Sequence, residues 1–290
     1  MIEFEDLSYA YPTANDAALR SITLTVPAGQ ICGVVGAAGA GKTTLAGAIS
    51  GTIPHLSGGE LVGQVKVGGR IVPETPVNEL AGTVGMVLQN PFNQISGAKF
   101  TVREELAFGL ENLGVAREEM IRRVDDVLHE LRIDELADRS PYELSGGQQQ
   151  MVALGSMLAM RPSVLVLDEP TSQLDPAGSR LVFDVLEGLR GRGITVVLME
   201  HKLEQLARFA DRLLVLAEGR LVLDGPPDVV LADPRLDEWA VGTTRYTRAA
   251  RLAQEQGLWP DGRSLPVSLE PAVAGFAAMS RSAIATGGLS

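Results

Sequence analysis

Ile2 and Phe4, and further on Ile22, Leu24 and Val26, alternate with polar neighbours at the period of a half-buried strand. Two β-strands are therefore expected, with turns at Tyr11-Pro12 and Pro27-Ala28-Gly29. Ile31–Val35 is continuously apolar and runs directly into glycines, while 65–72 reads as a hairpin around Gly68-Gly69. Apolar runs at 84–88, 164–167, 194–199 and 213–216 have the unbroken character of inner strands in a covered parallel sheet. Leu221-Val222-Leu223 after Glu218-Gly219-Arg220 predicts a return strand, and Asp224-Gly225-Pro226-Pro227 ends it. Between strands the period changes: Ile121, Val124, Leu128 and Leu131 share a helical face opposite Arg122, Asp125, Asp126 and Glu130. Beyond Gly242 a helical pattern over 246–256 gives way to Pro260, Pro266 and Pro271, and then to a tail rich in Ala, Gly and Ser. We read 241–273 as a small appendage and 274–290 as linker or disordered tail. No repeat of solenoid or propeller period is visible.

A chain of 290 residues suits one large domain with an appendage and can bury a core without staples. Lys and Arg total 25 against 36 Asp and Glu, a net charge of −11, which disfavours neutralisation of a nucleic-acid backbone. No nucleic-acid partner is expected. The single cysteine, Cys32, lies within an apolar strand and suits a reducing compartment. No stretch approaches the ~18 to 20 consecutive apolar residues of a membrane span, and the first residues lack the basic start of a signal peptide. If the protein serves a membrane, another chain must supply the spans.

Chemistry enters at Gly36-Ala37-Ala38-Gly39-Ala40-Gly41-Lys42-Thr43-Thr44, which follows the strand Ile31–Val35 and precedes a helical run. This is G-x-x-x-x-G-K-[ST] in its strand-loop-helix context. Gly36, Gly39 and Gly41 let the backbone wrap with N–H groups pointing inward, and the helix start adds partial positive charge, so the loop is an anion cradle. Lys42 is placed to neutralise the β- and γ-phosphates of ATP, Thr43 to ligate Mg²⁺, and Thr44 to donate to the α-phosphate. Val164-Leu165-Val166-Leu167-Asp168-Glu169 ends an apolar strand in two carboxylates, at the edge where open α/β sheets bind ligands. Asp168 would hold the metal through its water shell, and Glu169 would accept a proton from attacking water. Without the phosphate loop, the pair would read as an ordinary solvated strand end. Leu144-Ser145-Gly146-Gly147-Gln148 opens another helix: Ser145, Gly147 and Gln148 form either a second anion site or simply a capped helix start.

In this order, these motifs resemble the nucleotide-binding subunit of ABC transporters across residues 1–240. The resemblance implies an α/β P-loop NTPase core of ABC ATPase type, with an antiparallel β subdomain and a helical subdomain at about 90–160. It further implies that Tyr11 stacks on adenine and that Gln89 links the γ-phosphate region and its metal to a transmembrane partner. Asp175 would be the acid of the D-loop, Ser172-Gln173-Leu174-Asp175, and His201 the switch histidine. Gln89-Asn90-Pro91-Phe92-Asn93-Gln94 is similar to a stretch of energy-coupling factor (ECF) ATPases, which drive vitamin and transition-metal-ion importers. Glu200-His201-Lys202-Leu203-Glu204, Tyr246-Thr247 and Leu265-Pro266-Val267-Ser268-Leu269-Glu270 resemble the same group. Two positions depart from the family pattern: Met151 stands where a basic residue is common, and Gln173 replaces a small one.

The implied function is ATP hydrolysis by Glu169, His201, Gln89 and Lys42, powering uptake by a membrane complex. Its implied partners are a second ABC ATPase chain, a transmembrane coupling protein and a substrate-binding membrane protein, with this chain peripheral on the cytoplasmic membrane face. The alternatives are a soluble non-transport ABC ATPase or another class of ABC importer. A long coiled-coil insertion has no room, because Lys42 and Ser145 lie only 103 residues apart.

Overall fold

The computed structural model describes residues 1–260 and 262–287, with 280–287 as backbone alone. Among the described residues the chain forms ten strands: β1 (Ile2–Ala10), β2 (Leu19–Val26), β3 (Ile31–Val35), β4 (Glu60–Val67), β5 (Arg70–Ile71), β6 (Val84–Val87), β7 (Val164–Asp168), β8 (Thr195–Met199), β9 (Arg212–Ala217) and β10 (Arg220–Gly225). They build two sheets. The order β2-β1-β4-β5 is antiparallel throughout, whereas β10-β9-β3-β8-β7-β6 is parallel except for the β9–β10 hairpin.

Continuous apolar runs make these inner strands because both faces are covered. Val164 and Val166 of β7 pack into a core shared with the antiparallel sheet and the helix Lys42–Ser50. Leu165 and Leu167, pointing the other way, join a second core with the helices Val102–Asn112, Arg117–Glu130, Gly146–Ala159 and Pro176–Gly188. The run 84–88, expected as an inner strand, is the sheet's edge strand β6. It looks like an inner strand in sequence because helices cover it.

On the helix Arg117–Glu130 the buried face is Val124, Val127 and Leu128, and Ile121 is exposed. The expected stripe is thus shifted by about one position at the N-terminal end, where Met120 rather than Ile121 packs against the core.

The tail departs further from expectation. Instead of linker from 274, a helix runs Leu269–Gly287; residues 288–290 lie outside the described residues. Alanine favours helix at low entropic cost, and the helix has something to pack on: Phe276 stacks edge-on against buried Trp259, with ring centroids 5.2 Å apart. Gly275 makes the approach possible, since a Cβ there would sit 2.1 Å from the Trp259 ring. The preceding helix, Arg245–Glu255, is capped by Thr244 and anchored to the core by an Arg245–Glu204 ion pair and by Arg251 donating to the Ala232 carbonyl.

This topology positions a site. The parallel strands β3, β6, β7 and β8 run the same way, so Gly36, Gln89, Asp168-Glu169 and Glu200-His201 all emerge at one sheet edge.

Candidate functional site

The loop after β3 turns back on itself because three of its glycines do what other residues cannot. Gly41 has φ 103°, and a Cβ there would meet the Ala18 carbonyl at 2.7 Å. A Cβ on Gly36 would lie 2.5 Å from the Leu216 carbonyl, and Gly39 takes φ 78°. The wrapped loop buries Lys42, whose Nζ donates to the carbonyls of Gly36 (2.8 Å) and Ala37 (3.1 Å). Burial lowers the Lys42 pKa, opposed by the charges of Glu169 and Asp168. Thr44 is tied to Tyr11, hydroxyl to hydroxyl at 3.2 Å, and the Tyr11 ring stands edge-on to Tyr9.

Asp168 closes β7 at 4% exposure. Burial raises its pKa and so does Glu169, while a hydrogen bond from the Thr43 hydroxyl and the charges of Lys42 and His201 pull it down. Glu169 has a left-handed backbone, φ 48°, which swings its side chain away from that of Asp168. Its two carboxyl oxygens face different partners: Gln89 Nε2 donates to Oε2 at 2.7 Å, and His201 Nε2 lies 2.8 Å from Oε1. The structure thus places Lys42, Thr43, Gln89, Asp168, Glu169 and His201 at one sheet edge, with the Tyr11–Thr44 pair at the start of the helix Lys42–Ser50.

Ser145, Gly147, Gln148 and Asp175 lie elsewhere, lining a cavity of about 550 Å³ with Gln173 and Met151. Each helix start there is self-capped. Ser145 Oγ accepts from the Gln148 N–H (3.3 Å) while Gln148 Oε1 accepts from the Ser145 N–H (3.0 Å), and Asp175 Oδ1 accepts from the Gly178 N–H (2.6 Å). Gln173, the D-loop departure, leans on the signature helix: a Cβ on Gly146 would be 3.0 Å from its Oε1. Two further buried residues, Thr171 and Glu200, and the partly exposed Lys202 support the first group. In sequence, Thr171 is signalled only by its nearness to Glu169, and Glu200 and Lys202 only as members of the stretch 200–204 around His201.

The donors fit Mg²⁺ in its nucleotide-bound form. Among the described residues no three His, Cys, Asp or Glu gather around one point, so the protein offers no closed cage. Thr43 and the buried Asp168 are the sparse set that suffices when phosphates and waters complete an octahedron. A buried carboxyl with a raised pKa is a site that gains from a cation.

A wrapped Gly-rich loop at a helix start, beside a buried strand-end aspartate, defines a P-loop nucleotide-binding protein. A family model described as ABC transporter matches residues 19–172. The chain belongs to that family, as an ATP-binding domain of mixed α/β ABC ATPase fold. A protein of Pyrococcus horikoshii named as an ABC transporter ATP-binding protein is 43% identical over 231 residues, spanning 79% of this chain and 81% of its own. One from Streptomyces avermitilis, named likewise, is 47% identical over 237 residues but is covered to only 42% of its length. The chain spans about two fifths of several such curated relatives. Among solved structures, CbiO1 from Clostridium perfringens, part of the ABC transporter complex CbiONQ, superposes with TM-score 0.71 at 28% identity, covering 88% of this chain and 96% of that one. The dimeric cassette MJ0796, bound to ADP and Pi after hydrolysis, gives TM-score 0.68 at 26% identity over 78% of this chain and 99% of its own.

Proposed function

We propose that this chain hydrolyses ATP to power an ECF-type importer of vitamins or transition-metal ions through separate transmembrane partners. The observation that carries the ATPase reading is the convergence at one sheet edge of the Lys42 loop, the Thr43–Asp168 pair and the Gln89–Glu169–His201 set. The loop amides and Lys42 bind and orient the phosphates, with Tyr11 beside the base. Mg²⁺, held by Thr43 and Asp168 with Gln89 nearby, would supply charge neutralisation. Glu169 accepts the proton of the attacking water; each carboxyl oxygen has a second lone pair free for it beside its present partner. His201 and Gln89 hold that carboxyl in place. Positioning and charge neutralisation dominate phosphoryl transfer, and no covalent intermediate forms on the protein.

Support for the importer class comes from the stretch 89–94 and from the likeness to CbiO1. Asn90 caps the turn Pro91–Asn93, Gln94 pins the strand end through the Leu88 N–H and the Met86 carbonyl, and Phe92 stands exposed against Tyr142. A polar turn carrying an exposed aromatic pair beside Gln89 suits a cytoplasmic helix of the coupling protein. No described helix is long and apolar enough to cross a membrane, so the spans belong to that protein and to a substrate-binding membrane protein. This chain would act as a peripheral subunit on the cytoplasmic face. Residues 1–240 would be the ATPase domain, about 90–160 its helical part, and 241–273 the appendage.

The location of Ser145 and Asp175 on a separate cavity supports completion of the site by a second ATPase chain, identical or related. Their cavity is a second anion cradle, and the partner's phosphate loop would face it. The test is sedimentation of Glu169→Gln with and without Mg-ATP, alone and with a candidate second ATPase, alongside turnover in the assembled complex. Expected are ATP-dependent association and a ~10²- to 10⁴-fold slower turnover. Turnover at the parent rate removes the assignment of Glu169. Crosslinks from 89–94 that repeatedly miss every membrane chain in an active complex would favour the soluble reading instead.

A further inference from the structure

We propose that Glu200 is a positioning residue for hydrolysis: its buried carboxyl clamps the loop carrying His201 to the segment following Glu169, and thereby sets the His201–Glu169 contact. The proposal rests on the roles given above to Glu169 and His201.

Glu200 directly follows β8 and is 3% exposed, an uncommon setting for a glutamate. Oε2 accepts from the Thr171 hydroxyl at 2.5 Å, and Oε1 accepts from the backbone N–H of His201 (2.8 Å) and of Lys202 (3.3 Å). Thr171, 1% exposed, stands two residues beyond Glu169 in a turn closed by the Ser172 N–H donating to the Glu169 carbonyl. A ring results. At its outer end the side chains of His201 and Glu169 meet at 2.8 Å; at its inner end Glu200 and Thr171 meet at 2.5 Å. Two-point attachment fixes the rotation of one loop about the other, which the outer contact alone leaves free. Lys202 reinforces the inner end, its Nζ donating to the Thr171 carbonyl (3.2 Å) and to Ser179 Oγ (2.7 Å) on the helix that Asp175 caps.

Folding alone does not demand a carboxyl here. The side chain of His201 is half exposed and the bonds to its N–H and that of Lys202 are only part-buried, so truncation of Glu200 should open those groups to water. What water does not supply is a fixed direction. Misplacement of a reacting group by about 1 Å costs on the order of 10²-fold in rate, so the clamp acts on kcat and leaves nucleotide binding, set at the phosphate loop, unchanged.

The test pairs kinetics with a signature of the ring itself. In the full chain with its ATPase partner, Glu200→Ala should lower kcat by about 10- to 100-fold with KM within about twofold. Glu200→Gln, which keeps acceptors for both N–H groups and an amide toward Thr171, should recover kcat to within about threefold of the parent. Thr171→Val, cutting the same bond from its other end, should lower kcat about tenfold. With Cε1-labelled histidine the chain has three signals, from His55, His129 and His201. Glu200→Ala and Thr171→Val should move the His201 signal alone, and Glu200→Gln should leave it in place. Unchanged kcat in Glu200→Ala, loss in Glu200→Gln as deep as in Glu200→Ala, or movement of all three signals together would overturn the clamp. If Glu200→Ala does not fold, Thr171→Val decides, and an unmoved His201 signal with parental kcat overturns it. Glu169→Gln is run beside them: turnover at the parent rate there defeats the catalytic reading, while the His201 signal still reports on the clamp.

Discussion

The two cradles of this chain are built in opposite ways. Around the phosphate loop, bonds join side chains that follow different strands: Thr43 to Asp168, and Gln89 and His201 to Glu169, while Lys42 bonds to its own loop. Around Ser145 and Asp175, each helix start is closed by a cap within its own first turn. The first cradle is preassembled by the fold and needs only its ligand. The second is two finished caps facing a cavity, with donors that the chain itself does not use across it. A surface of that kind is rigid without being complete, which is what a site shared between two chains requires.

The sharpest break in the comparison is Lys42→Ala. It removes the one side-chain cation in the loop, and ATP affinity of the isolated chain should fall about 100-fold or more, the scale of a desolvated charge contact with phosphate; equilibrium binding of a fluorescent ATP analogue measures it. Ser145→Arg should do the converse. Filling the second cavity leaves ATP affinity of the isolated chain within about twofold but lowers turnover of the assembled complex by about 10²-fold, the scale of lost transition-state donors. Asp175→Ala removes a cap worth ~1 kcal/mol and should lower the melting midpoint by about 2–4 °C, with a smaller loss of turnover than Ser145→Arg.

The finest discrimination comes from pH. Burial raises the Asp168 pKa above its unfolded value, so the native state holds that proton more tightly and the ionised carboxyl costs stability at neutral pH. Asp168→Asn should therefore raise the melting midpoint of the nucleotide-free chain by about 2 °C at pH 7. The gain should shrink as pH falls through the raised native pKa and vanish below the ordinary carboxylate range. Mg-ATP should reverse the order of the two proteins at pH 7, because only the parent offers the cation a carboxylate.

Sequence patterns were informative where local chemistry and fold agree. The loop glycines announce the phosphate cradle because its backbone demands them, and both faces of β7 are legible as Val164 to Leu167 because both are buried. Long-range bonds were less legible. Nothing in the spacing of Gln89, Glu169 and His201 says that one carboxyl serves both partners, and nothing in the stretch 200–204 says that Glu200 bonds to Thr171. The helix Leu269–Gly287 was missed because its composition matches a flexible tail; the Trp259 ring that receives Phe276 lies outside any window that local composition can weigh.

Cys32 carries a practical consequence. It is fully buried in β3, and desolvation pushes its thiol pKa up to about 12, so at neutral pH it is neither a nucleophile nor an oxidation target. With no other cysteine in the chain, the native background is silent to maleimides. A single cysteine placed on the exposed turn at Phe92, or on the rim of the Ser145 cavity, would be the sole reactive handle. Distances between the two cradles of an assembled pair could then be read by spectroscopy without first rebuilding the core.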